Sequence, residues 1–172
     1  MVNWDELIEK MINKHSELKE YDKKQIFEFR LPNVAATDEE IEAIKNNIKC
    51  DFDPEYLNFL KKANGWDYFY NTVILFGTNE LLESEWKDIA DDYMDIISDY
   101  VDCNLDDITP IAVAKHDKDV FVMLNKKDVG AEYNKIIWYA GDQVDVFEGF
   151  FDFFVKILDL REVTKEFLIK NA

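Results

Sequence analysis

Between Glu80 and Asp107 the chain carries eleven acidic residues against one base, Lys87. Carboxylates at that density could bind a metal, share a proton in acid–base chemistry, or meet a basic partner. Placed on a helix at about 100° per residue, Asp88, Asp91, Asp92, Asp95 and Asp99 fall within a stripe of roughly 100°. Trp86, Ile89, Tyr93, Ile96, Ile97 and Tyr100 fall opposite, so the helix is expected to bury an aromatic face and present a row of carboxylates. Like charges three or four residues apart cost about 0.2 to 0.5 kcal/mol per pair, and aspartate is a poor helix former. Solubility alone does not require either cost, which favours a row that faces a partner over one that is merely solvated.

The other chemistries find less support. Asp102, Asn104 and Asp106 have the spacing of calcium ligands, but Asp107 stands where the loop needs glycine and Val113 where it needs the bidentate glutamate. No metal or cofactor is expected. His15 and His116 are the only side chains with the ordinary pKa of a neutral-pH base, and no nucleophile motif or phosphate-binding glycine loop accompanies them. His15 falls on an apolar helical stripe, the place of a core-edge histidine, and His116 falls in a turn. The chain is therefore expected not to be an enzyme; a carboxylate-based or metal-dependent hydrolase is the alternative from another class. Trp66, Tyr68 and Tyr70 form a second candidate contact group, because such aromatics after a helix are favoured interface anchors, although core packing is expected for part of it.

The net charge of −17 repels nucleic acid and anionic membranes and attracts a basic protein. Arg30 and Arg161 are the only arginines, too few for phosphate recognition. Cys50 and Cys103 form no close pair and read as reduced thiols. Asn3, Trp4, Asp5 and Glu6 do not open a signal peptide, and no apolar run is long enough to span a bilayer, so the expected compartment is the cytoplasm. Nothing in the residues sets an oligomeric state.

These side chains need a frame. With 172 residues, 48% of them hydrophobic, the chain can fill one core, and a single domain over 1–172 is expected. Trp4, Leu7, Ile8, Met11, Ile12, His15 and Leu18 predict an amphipathic first helix. Residues 26–31 read as an extended connection or edge strand. Thr37 with Glu40 forms a capping box before Ile41, Ile44 and Ile48. Asp53 and Pro54 start a third helix, with Leu57, Leu60 and Ala63 inward and Asn64-Gly65 as its left-handed cap. Residues 72–76 predict a strand, 85–100 a helix, and 111–114, 120–124, 135–139 and 144–147 further strands. Phe150, Phe153, Phe154, Ile157 and Leu158 open a C-terminal helix, with a separate last helix carrying Val163 and Phe167. The result is an α+β fold with a mainly antiparallel sheet of about four to six strands flanked by helices.

In order, "TDEEIEAIKNNI", "FDPEYLNFLKKANGW", "ILFG", "DVFVMLN", "KIIWYA" and "FFDFFVKIL" resemble the SMI1/KNR4 (SUKH) superfamily over residues 37–158. Trp66 stands where the family has a second glycine, and "KHDKDVFV" lacks the glycine usual before that strand. The resemblance implies a protein-binding scaffold without a shared catalytic motif. Many bacterial members neutralise toxins, and fungal relatives regulate cell-wall synthesis. It implies an immunity protein whose partner is a basic protein toxin such as a nuclease, with a regulatory scaffold as the alternative.

Overall fold

Each early helix begins where a side chain can take its free N–H groups. The computed structural model describes residues 2–97, 107–114, 116–124 and 134–171. Helix α1 (Trp4–Tyr21) starts at Asn3, whose side chain accepts from the Glu6 N–H. Helix α2 (Asp38–Asn47) has the reciprocal Thr37–Glu40 box. Asp53 caps α3 (Pro54–Leu60) through the Glu55 N–H at 2.8 Å.

The second carboxylate oxygen of Asp53 accepts from the Phe150 N–H, also at 2.8 Å. That bond starts α6 (Phe150–Lys170), whose own N-cap, Gly149, has no side chain to offer. A Cβ on Gly149 would lie 3.0 Å from this oxygen, so glycine leaves room for the borrowed cap. One buried carboxylate thus serves two helix starts, the second 97 residues beyond Asp53 itself.

Six strands form one antiparallel sheet in sequence order: β1 (Trp66–Tyr70), β2 (Val73–Leu75), β3 (Ile108–Ala114), β4 (Asp119–Leu124), β5 (Ile136–Ala140) and β6 (Gln143–Phe147). Two further helices, α4 (Thr78–Leu82) and α5 (Glu85–Ile97), lie between β2 and β3 among the described residues. In β4 every position from Val120 to Leu124 is buried, so both faces of the sheet are covered there. On one, α6 sets Phe153 5.3 Å from Phe121 and 5.4 Å from Phe147, between ring centroids. Helix α5 packs on β3 and β4. Helix α1 lies along α6, with Trp4 5.6 Å from Phe59 and 5.3 Å from Phe154. Glu17 joins the two helices through Lys165 on α6 and also pairs with Lys14 on its own helix, and these lysines hold its carboxyl down to about 2.

Two glycines fix the join between α3 and the sheet. A Cβ on Gly77 would stand 2.3 Å from the Asn64 carbonyl oxygen, and one on Gly65 (φ +84°) would stand 2.5 Å from the Gly77 nitrogen. The Asn64 side chain seals the contact, accepting from the Thr78 N–H and donating to the Thr78 hydroxyl. At the opposite edge, β6 has no outer neighbour among the described residues. The N–H groups of Gln143 and Val146 are taken by the carboxylates of Asp142 and Asp145, each at 2.8 Å.

Several expectations need revision. The helix at Pro54 ends at Leu60, so Asn64-Gly65 forms the glycine contact instead of an adjoining cap. Residues 66–70 form a strand, and Thr78–Leu82 a short helix that was not expected. The C-terminus is one helix, not two. Residues 26–31 have no regular secondary structure.

Candidate protein-binding surface

Helix α5 turns Ala90, Met94 and Ile97 into the core, with Trp86, Ile89 and Tyr93 half-buried beside them. Asp88, Asp91, Asp92 and Asp95 are all exposed on the other side. Lys87 pairs with Asp91 at 2.5 Å. Ile96 departs from the expected burial and is 53% exposed; it lies only about 80° from Asp88 around the helix, at the edge of the acidic stripe. Asp99 and Tyr100 lie outside the described residues, as do Asp102, Asn104, Asp106 and Cys103.

The aromatic group divides. Trp66 is fully buried as the first residue of β1, and its Nε1 donates to the Arg30 carbonyl at 2.8 Å. It offers no surface, so the candidate contact role is corrected to a core role. Its indole anchors the preceding segment at the Arg30 carbonyl. Tyr70 is half-buried, with the Arg161 guanidinium 5.1 Å from its ring centroid and Trp138 at 6.1 Å. Tyr68 remains at the surface, beside Glu28 and beneath Arg30. The β1 ladder is irregular here because Tyr68 adopts φ +55°.

Beneath this bulge lies a pair that sequence reasoning missed. Arg161 is fully buried on α6 and His15 is 4% exposed on α1. The guanidinium donates to His15 Nε2 at 2.8 Å, to the Tyr68 and Phe69 carbonyls, and to Asn71 Oδ1 at 3.1 Å. His15 Nε2 lies 3.3 Å from the Phe69 carbonyl as well; because arginine can only donate, its shorter contact assigns Nε2 as an acceptor and the imidazole proton to Nδ1. Burial and the neighbouring positive charge push His15 down to about 4. Burial likewise lowers Arg161 to about 10, against the favourable influence of Tyr70. His15 therefore works as a fixed acceptor, while His116 is exposed in the β3–β4 turn. In that turn Lys118 takes φ +58°, the left-handed position that a glycine would fill at less cost.

Among the described residues, no group of three His, Cys, Asp or Glu could hold a metal ion. Nor is any helix among them long and apolar enough to cross a membrane.

Residues 35–156 match the model of the SMI1 / KNR4 family (SUKH-1). The chain belongs to that family. Among curated proteins, none matches it. The SMI1/KNR4 match runs from just before α2 into α6 and includes the acidic row of α5. Helix α1 and the last turns of α6 lie outside it. His15 and Arg161 thus join two flanking segments of the SMI1/KNR4 body to its first hairpin.

Proposed function

We propose that this chain is a cytoplasmic immunity protein that binds and neutralises a basic protein toxin, with the exposed face of α5 as its electrostatic complement. The observation that carries this reading is the placement of Asp88, Asp91, Asp92 and Asp95 together at the surface, opposite the residues that anchor the helix. Membership of the SMI1/KNR4 family supports a protein-binding role. Binding proceeds without turnover in this reading: one described histidine is locked against Arg161 and the other stands in an open turn.

The test replaces Asp88, Asp92 and Asp95 by asparagine, which keeps side-chain shape and removes three charges. Association with the protein partner captured by affinity pull-down from the native cell, measured by stopped flow, should slow at low salt and approach the wild-type rate as salt rises. The Debye length falls from ~30 Å at 0.01 M to ~3 Å at 1 M, so steering is lost in both proteins. Unchanged rates at low salt would show that the row is only solvated. Inhibition of the toxin's activity by the wild-type chain distinguishes neutralisation from a regulatory scaffold, which binds without blocking.

A further inference from the structure

The C-terminal half of α1, residues 22–29 and the β1–β2 turn enclose a cavity of about 630 Å³. Its walls include Lys19, Ile26, Phe27, Glu28, Tyr68 and Asn71. We propose that this cavity is a docking groove for a basic segment of a protein partner. One arginine or lysine side chain would rest on Glu28 and Tyr68, with an adjoining apolar side chain against Ile26 and Phe27. The proposal rests on the reading of the chain as a binder of a basic protein and adds a second contact site to it.

Two residues of its wall, Glu28 and Tyr68, already hold a cation beside the groove. Arg30 Nε donates to Glu28 Oε1 at 2.6 Å, and the Arg30 guanidinium carbon lies 5.9 Å from the Tyr68 ring centroid. That side chain is 58% exposed, and exposed ion pairs are weak enough to exchange for an incoming one. Its departure would leave the backbone in place, because Trp66 holds the Arg30 carbonyl. The charge around the groove is mixed: Lys19 stands on the wall with Glu28 and Asp22, Asp67 acts on Tyr68 and Arg30, and Asp117 accepts from the Thr72 hydroxyl at 2.5 Å. Ile26 is 47% exposed, an apolar side chain that a partner could cover.

The walls are also held in place. Asp22 is buried and accepts from the Ile26 and Phe27 N–H groups, each at 2.8 Å. Arg161 holds the opposite wall through the Tyr68 carbonyl and Asn71. Gln25, Tyr68 and Asn71, all on this cavity, have φ of +52°, +55° and +52°. Such conformations cost free energy and persist where the surroundings impose them; a groove fixed beforehand loses little entropy when it is filled.

The probe is the dipeptide N-acetyl-Phe-Arg-amide, titrated to millimolar concentration into the full-length ¹⁵N-labelled chain. The neutral isostere N-acetyl-Phe-citrulline-amide is the control. Amide shifts should cluster at residues 26–28 and 68–72. Glu28→Gln should weaken binding about threefold to fivefold, the range of an exposed ion pair. Arg30→Ala should strengthen it by a similar factor, whereas Lys61→Ala, which removes a positive charge elsewhere, should not. Equal binding of the citrulline peptide, shifts centred on α5, or no shifts would overturn the groove. The acidic face would still stand or fall on the salt dependence of its own variant, so the two readings fail separately.

Discussion

Acid should weaken this fold through one histidine. His15 is pushed down to about 4 in the folded chain, against about 6.5 when exposed. Because the folded pKa is the lower one, the folded state binds fewer protons between these values. Above about pH 6.5 both states hold a neutral imidazole, and His15 makes stability no more pH-dependent. As pH falls through 6.5 the unfolded chain gains a proton that the folded chain refuses, and stability is lost progressively until about pH 4. The difference of roughly 2.5 units corresponds to about 3 kcal/mol, a large share of a domain's stability. His15→Gln retains an acceptor for the Arg161 guanidinium but cannot titrate. Urea denaturation of both proteins at steps from about pH 7 to about pH 4 isolates the effect, since the acidic residues and His116 are common to both. The two stability curves should converge by about 3 kcal/mol in favour of the glutamine variant as pH falls. Parallel curves across that window would refute the buried pair as drawn.

Three further substitutions probe the frame. Gly77→Ala should destabilise by about 1 to 3 kcal/mol through the collision with the Asn64 carbonyl, seen as a lower denaturation midpoint; an unchanged midpoint would mean that α3 and β2 can part without cost. Asp53→Ala removes the caps of α3 and α6 together and should cost about 2 to 4 kcal/mol, more than one lost cap, with Asp53→Asn intermediate in the same thermal melt. Leu60→Ala truncates a fully buried side chain and should cost about 2 to 5 kcal/mol; a wild-type melting temperature would contradict that burial.

Local signals made the capped helices and the alternating strands legible. The Thr37–Glu40 box and the Asp53-Pro54 start depend on neighbours within four residues, and both form as read. What escaped depends on distant partners. Arg161 lies four residues beyond Ile157 on the buried stripe of α6, where a charge gives no local sign of burial. His15 falls on the stripe of α1 as periodicity predicts, but nothing local points to its partner. Polar residues on two apolar stripes are a joint signal that the helices pair through them, but only once the helices are known to be adjacent. In "WDYFY" the left-handed Tyr68 breaks the two-residue alternation that marks a strand. Helix α4 has only five residues, and its N-cap glycine lacks a side-chain cap, with Glu80 reaching back to the Gly77 N–H instead. The acidic face of α5 followed from periodicity alone, whereas the groove needed the fold to bring residues 22–29 beside 68–72.

The blunted edge of β6 bears on how recognition by such a protein could diverge. A partner that adds a strand to a sheet is recognised largely through its backbone, which every sequence shares, so the contact is tolerant and hard to retune. Here Asp142 and Asp145 already occupy two of the donors that such a strand would need, and the addition would have to displace both carboxylates. A partner of the proposed kind would then be met by side-chain surfaces, where affinity depends on a few charges and rings that can change one at a time without disturbing the sheet. A lineage facing altered partners could then shift its preference by substitutions on the surface while retaining the same core.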